Sequence, residues 1–347
     1  MFFVAIMSFV ISNKVSFASA SVYKNTSSVI LIEQNSLRVL YAENENERRG
    51  IASTTKIMTA LCVLENNDIG KVVTITNEMV GEEGSSIYLR AGEKYTVEQL
   101  LYGLMLRSGN DASIALAVST SGSVKNFVDL MNDKAKELKA FDTHFDNPNG
   151  LDSESHYSTA KDLAVITAFA FYNETFRKIV DTKVYSFEKI DSGEKVVWVN
   201  KNKLLKKDDS FNGVKTGFTK KCGRCLVASK ETDGMQLIAV ALNVGAMFER
   251  CEELLDFGFK NYSIYKIIDK NCAFTAETET LNEKVNVIVD KDVFYPLTKE
   301  EYASLKYLFV TGGSYKEKDK QLNGKIDVVS AKDLIYSTKS FIIVSHK

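Results

Sequence analysis

A serine hydroxyl and a lysine amine three residues apart, at the head of an apolar run, make a nucleophile with its own base. Ser53-Thr54-Thr55-Lys56 leads into Ile57-Met58-Thr59-Ala60-Leu61-Cys62-Val63-Leu64, the pattern of a buried helix opening at that serine. On a helix, residues three apart share a face, so the amine of Lys56 sits beside the hydroxyl of Ser53. A lone serine hydroxyl is a poor nucleophile, but a lysine desolvated among apolar neighbours gives up its proton readily, so the pair needs no histidine. The helix N-terminus also favours developing negative charge. Ser-x-x-Lys occurs six times, at Ser21, Ser53, Ser158, Ser186, Ser192 and Ser263, so context must choose among them. The plain alternative at Ser53 is a helix cap with a solvated lysine one turn on. Ser158-Thr159-Ala160-Lys161, before a helix Asp162 to Phe171, is the serious rival, and Ser158 is read as the cap of that helix.

Two further motifs carry suitable chemistry. Thr96-Val97-Glu98-Gln99 fits a capping box, and Leu100, Leu101, Leu104 and Met105 continue with helical spacing to a stop near Arg107. Ser108-Gly109-Asn110 then interrupts before a helix resumes over Asp111 to Val118, so a hydroxyl and a carboxamide stand at a tight turn between helices. Lys215-Thr216-Gly217 lies on an expected strand, Gly213 to Thr219. It offers a cation and a hydroxyl, with a glycine that lets a substrate backbone approach and pair along the strand. Taken singly, these are also what a plain interhelix turn and a β-turn glycine look like.

Elements that must position these groups follow from the hydrophobic pattern. Ser28 to Glu33 and Leu37 to Tyr41 read as a hairpin that delivers the chain to Ser53, and Val72 to Leu89 alternates only weakly. A helix is expected over Phe127 to Leu138 and a turn at Asn147-Pro148-Asn149-Gly150. Val196 to Val199, Gly213 to Thr219, Cys225 to Ser229 and Leu237 to Leu242 read as strands of one antiparallel sheet, followed by a last helix over Phe248 to Phe257. Beyond about Tyr265, strands at Val285 to Val289, Tyr307 to Val310 and Phe341 to Val344 suggest a small all-β appendage.

Composition narrows the class. With 347 residues, 45% of them hydrophobic, the chain can hold one large domain and a smaller one. Lysine plus arginine (44) nearly balances aspartate plus glutamate (45), so no field recruits nucleic acid. The apolar stretch Phe2 to Ile11 is too short to span a bilayer. With Ala18-Ser19-Ala20 after it, residues 1–20 read as an export signal, the alternative being a buried N-terminal strand. Five cysteines, Cys62, Cys222, Cys225, Cys251 and Cys272, cannot all pair within one chain. Cys222-Gly223-Arg224-Cys225 lacks the two further ligands that a zinc site needs, and a redox role stays open for it. Cys62 reads as a small core residue.

The ordered set Ser-x-x-Lys, Ser-x-Asn, Lys-Thr-Gly on helix, turn and strand resembles that of the penicillin-binding proteins and β-lactamases. Within that group the chain is similar to the serine D-alanyl-D-alanine carboxypeptidases of low molecular weight. The likeness rests on Ala52 to Thr59, on Arg107-Ser108-Gly109-Asn110-Asp111-Ala112, on His156-Tyr157-Ser158-Thr159-Ala160 and on Lys215-Thr216-Gly217-Phe218-Thr219. The resemblance implies an α+β fold. Residues 21–264 would form a β-lactamase/transpeptidase-like domain, helices around a five-stranded antiparallel sheet, and 265–347 a small all-β domain.

It also implies roles. Ser53 would attack the carbonyl between two terminal D-alanines, with Lys56 as base, while Ser108 and Asn110 relay protons and hold the substrate amide. Lys215 and Thr216 would receive the terminal carboxylate, helped by Lys201 where relatives usually carry arginine. The strand at Gly217 would accept the peptide, and the N–H groups of Ser53 and Phe218 would form the oxyanion hole. Expected partners are peptidoglycan stem peptides ending in D-Ala-D-Ala, with β-lactams as covalent inhibitors, at the cell envelope. No metal or cofactor is expected. Asn212-Gly213-Val214 departs from the family pattern before the lysine. Many relatives end in an amphipathic membrane helix, whereas Phe341 to Lys347 reads as a strand with no obvious anchor.

Competing functions find less support. His144, His156 and His346 stand in no triad-like context, which disfavours a Ser-His-Asp hydrolase. A class A β-lactamase needs a glutamate over the site, and no Glu-x-x-x-Asn occurs between Ser108 and Lys215. A non-catalytic sensor of penicillin or wall is disfavoured because all three motifs are intact.

Overall fold

The computed structural model describes residues 27–270, 274–277, 284–289, 291–311, 321–330 and 333–344. The expected export signal, Cys272 and His346 lie outside these residues.

In chain order the first part comprises β1 (Ser28–Glu33), β2 (Val39–Glu43), α1 (Lys56–Asn66), β3 (Val72–Thr74), β4 (Lys94–Thr96), α2 (Val97–Tyr102) and α3 (Asn110–Ser121). There follow α4 (Val124–Glu137), α5 (Ala160–Ala170), α6 (Glu174–Asp181), β5 (Val184–Glu188), β6 (Lys195–Val199), β7 (Phe211–Thr219), β8 (Gly223–Thr232), β9 (Met235–Leu242) and α7 (Met247–Asn261). Five strands form an antiparallel sheet in the order β2-β1-β9-β8-β7, which leaves β7 at an edge. Every residue of β1 and β9 is buried, because helices cover both faces. Side chains alternate along a strand. Ile30, Ile32, Ile238, Val240 and Leu242 therefore join the core under α1 to α6, while Val29, Leu31, Leu237, Ala239 and Ala241 pack under α7. This is the five-stranded sheet with helices that the family resemblance implies.

One expectation fails. The strand Val196 to Val199 does not join that sheet; it lies in β6, which pairs with β5 as a separate hairpin. Period-2 alternation marks a strand but carries no information about its neighbour.

The remainder is β10 (Ser263–Ile268), β11 (Phe274–Glu277), β12 (Lys284–Ile288), β13 (Val293–Leu297), α8 (Lys299–Ala303), β14 (Leu305–Thr311), β15 (Gln321–Ser330) and β16 (Asp333–Val344). A second five-stranded antiparallel sheet runs β11-β12-β16-β15-β14, beside a β10–β13 pair. It has its own small core of Ile267, Ile268, Val289, Val293, Leu297, Ile326 and Val328. Arg38, just before β2, ties the first part of the chain to β13 and α8. It donates to the Pro296 carbonyl and to both oxygens of Glu301, and its guanidinium lies 5.3 Å from the Tyr262 ring centre and 5.5 Å from that of Tyr295. Among the described residues no helix is long and apolar enough to cross a membrane.

Candidate active site

Ser53 sits in a single 3-10 turn, Ala52–Thr55, that runs directly into α1. The turn is held from within by Thr54 Oγ1 donating to the Ile51 carbonyl at 2.5 Å and Thr55 Oγ1 to that of Ala52 at 2.8 Å. Strand β7 lies against it so closely that a side chain at Gly217 would come within 3.1 Å of the Ser53 nitrogen. That approach explains the glycine of the Lys-Thr-Gly motif.

Lys56 is wholly buried, and its Nζ lies 3.1 Å from Ser53 Oγ. It also donates to Asn110 Oδ1 at 2.7 Å and to the Asn149 carbonyl. Burial, reinforced by the charges of Lys215 and Lys201, holds its pKa well below the usual lysine range. A neutral amine has two N–H bonds and one lone pair. Two carbonyl oxygens occupy the two hydrogens, so the lone pair is left for the Ser53 hydroxyl. The geometry thus selects the basic form and aims it.

Asn110 is the first residue of α3. The helix before it ends in a π-helical turn, Gly103–Arg107, and Ser108 takes a left-handed conformation (φ 64°) that turns the chain into α3. The Asn110 carboxamide is oriented at both ends, its oxygen by Lys56 and its Nδ2 by donation to the Glu83 carbonyl, and its backbone N–H bonds the Ser85 carbonyl at 2.7 Å. Asp111 supports that loop from below. Its carboxylate accepts from Ser86 Oγ at 2.5 Å, from the N–H groups of Ile87 and Leu89 at 3.1 Å, and from that of Ala112 at 2.9 Å.

A cleft of about 410 Å³ is lined by Ser53, Ser85, Ser108, Lys201, Thr216, Gly217 and Phe218 among others. Lys56, Asn110 and Lys215 are buried beside it. The structure therefore brings together every residue singled out from the three motifs, and Lys201 with them. Lys215 is 2% exposed and donates to the Thr216 carbonyl at 2.9 Å; burial, then the charge of Lys201, pushes its pKa down to about 7. Lys201, 3.3 Å from Ser85 Oγ, is lowered by burial and by Arg107. Phe218 stands 64% exposed at the cleft mouth.

The rival serine is elsewhere in role and place. Ser158 is fully buried, its hydroxyl 2.7 Å from that of Thr143, and it is not a lining residue of the cleft. Nor is it the cap of α5: Thr159 is, accepting from the Asp162 N–H at 3.0 Å. Two adjacent hydroxyls both suit a cap, and the β-bridge between Ser158 and Arg49 leaves only Thr159 at the helix start.

Residue-type reasoning missed three supports. The Asn149 carbonyl is backbone and has no side-chain signature, although the Asn147 to Gly150 turn itself was legible. Asn149 Nδ2 donates to Glu82 at 2.8 Å, so that turn and the loop over Asn110 brace one another. Gly150 (φ 86°) is required there, since a Cβ would fall 2.0 Å from the Ala52 carbonyl oxygen. His156 is 5% exposed; its Nδ1 accepts from the Asp146 N–H at 3.1 Å, so Nε2 carries the hydrogen and donates to Thr55 Oγ1 at 2.8 Å. Desolvation lowers its pKa to about 4.

Cys62, Cys222, Cys225 and Cys251 are buried free thiols, and among the described residues no group of three potential metal ligands occurs. Cys62 packs in the core as expected. Cys222 Sγ and Thr219 Oγ1 share the Asp152 carboxylate at 3.0 and 2.9 Å, fastening the turn after β7.

Residues 15–246 match the family model described as D-alanyl-D-alanine carboxypeptidase. The chain is 38% identical over 287 residues to D-alanyl-D-alanine carboxypeptidase DacF of Bacillus subtilis, covering 80% of this chain and 71% of that protein. Its structure is similar to penicillin binding protein 5 from Haemophilus influenzae, with a TM-score of 0.77 and 27% identity over 92% of this chain and 96% of that one. It shares its fold with D-alanyl-D-alanine carboxypeptidase DacD from Francisella tularensis, at a TM-score of 0.78 and 24% identity over 98% and 99% of the two chains.

Proposed function

This chain belongs to the D-alanyl-D-alanine carboxypeptidase family, and we propose that Ser53 is the nucleophile with which it acts. It is a serine hydrolase that removes the terminal D-alanine from peptidoglycan pentapeptide stems through an acyl-enzyme, and it binds penicillin covalently. The observation that carries the assignment of residues is the buried amine of Lys56, 3.1 Å from Ser53 Oγ and bonded to the Asn110 and Asn149 carbonyl oxygens.

In the proposed reaction the stem peptide lies along the open edge of β7, pairing with its backbone. Its terminal carboxylate meets Thr216, Lys215 and Lys201, and Asn110 holds the amide. Lys56 takes the proton as Ser53 Oγ attacks the carbonyl carbon. Negative charge on the oxygen is met by the N–H groups of Ser53 and Phe218, a stabilisation worth about 3 kcal/mol per donor in other enzymes. Collapse of this intermediate breaks the peptide bond, and the proton passes through Lys56 and Ser108 to the departing D-alanine nitrogen. Water, deprotonated by the regenerated Lys56, then attacks the ester carbonyl; the bond to Ser53 Oγ breaks, Lys56 returns the proton to that oxygen, and the shortened stem leaves. A β-lactam follows the same path to the ester, which is why it inhibits.

The same reading assigns 21–264 to the catalytic domain and 265–347 to the β-rich appendage. It makes 1–20 an export signal that delivers the enzyme to the outer face of the cytoplasmic membrane or to the wall, where its substrate is. Incubating the protein with a peptide ending in D-Ala-D-Ala tests the function. Free D-alanine should appear with wild type and be absent with Ser53→Ala, and no release from folded wild type would refute it. Rapid multiple turnover of nitrocefin would instead indicate a β-lactamase.

A further inference from the structure

A second cleft, of about 560 Å³, shares no lining residue with the one at Ser53. One wall is a face of α4, where Asp129, Asp133 and Lys136 recur at helical spacing. The other is aromatic. Phe141 stands 70% exposed, and His144 and Tyr157, joined by a backbone bridge, have ring centres 6.2 Å apart. Arg48 lies over the Tyr157 ring at 4.9 Å.

Charges here cancel in pairs: Asp129 with Lys125 at 2.7 Å, Asp133 with Lys136 at 2.9 Å, and Asp142 with Arg48 at 2.7 Å. A cationic ligand would compete with lysines already in place, and an anionic one would meet the carboxylates. A wholly apolar one would strip water from those carboxylates without replacing it. A sugar suits all of these features, because the C–H face of a pyranose packs on an exposed ring, here Phe141, while its hydroxyl and acetamido groups bond to carboxylates.

We propose that this cleft binds the uncharged glycan strand of the polymer whose stem peptides the enzyme trims, holding it on its substrate. The inference rests on the proposed function for its choice of polymer. The loop from 140 to 158 serves both sites: its outer side carries Phe141, His144 and Tyr157, and its inner side places His156 on Thr55 and Asn149 on Lys56. Tethering to a polymer raises the local concentration of stems without touching the chemistry, so it lowers KM on polymer alone.

The test uses the whole protein and uncharged strands, immobilised β-1,4-linked N-acetylglucosamine oligomers, because stripping stem peptides with an amidase would leave a carboxylate on every second sugar. Wild type should be retained by the strands, Phe141→Ala should bind about fivefold more weakly, the equivalent of one aromatic contact, and Phe141→Tyr should restore binding. On intact polymer, Phe141→Ala should raise KM by a similar factor with kcat unchanged, and on a soluble D-Ala-D-Ala peptide it should match wild type. Absence of wild-type retention, equal retention of Phe141→Ala, or an equal loss on peptide and polymer would each overturn the glycan site. Hydrolysis of the soluble peptide by wild type reads the carboxypeptidase assignment separately, so the two can fail independently.

Discussion

His156 is a buried, neutral imidazole, and acid should therefore unlock the nucleophile turn. Its Nδ1 is occupied by the Asp146 N–H, so a second proton can enter only by breaking that bond, in a site that desolvates the cation. The carboxylate of Asp146 offsets only part of this cost. The folded pKa is about 4 against 6.5 for an exposed imidazole, so between these values the unfolded chain binds the extra proton and the folded one does not. Stability is then fully present above about pH 6.5 and is lost as pH falls toward 4. At about 1.4 kcal/mol per pH unit, the loss over that window is about 3 kcal/mol. Urea unfolding of wild type and His156→Gln, at steps from pH 7.5 to pH 4.5, isolates the contribution, since carboxylates common to both cancel. The variant should start lower by about 1–2 kcal/mol for lost packing against Phe145 and then fall less steeply. Parallel curves would refute the reasoning.

Three further outcomes follow from the same geometry. Lys56→Met should slow acylation by penicillin about a thousandfold or more and abolish the rise of the wild-type rate with pH, which stopped-flow labelling would show. Gly150→Ala should cost about 2–4 kcal/mol in urea unfolding and weaken acylation as well, because both its φ of 86° and the Ala52 carbonyl forbid a Cβ and the displaced turn carries the Asn149 carbonyl. Asp111→Asn should leave the fold intact at a loss of about 1–3 kcal/mol and raise amide hydrogen exchange selectively at Ile87 and Leu89, whose N–H groups the carboxylate holds.

Much of this site was legible because its chemistry is written in local spacing. Ser53 and Lys56 meet because a helical turn brings residues three apart together. Lys215 and Thr216 differ in exposure as strand neighbours do, the first buried beside the cleft and the second lining it. The capping box at Thr96 and Gln99 forms as its residue types require. What stayed hidden depends on contacts between distant segments. The loop before Leu89 has little regular structure of its own and takes its shape from Asp111 on another helix. The Asn149 carbonyl could not be distinguished from any other backbone oxygen until the turn was placed over α1. The partner of β6 depended likewise on packing that alternation does not encode. His156 lay within a string that carried the family likeness, yet its bond to Thr55 spans 101 positions in the chain.

Incubation with penicillin, proteolysis and mass spectrometry of the adduct address the Ser53–Lys56 pair most directly. One acyl group should map to the peptide containing Ser53 and vanish in Ser53→Ala. An adduct that persisted in that variant, or that mapped to Ser158, would contradict the account.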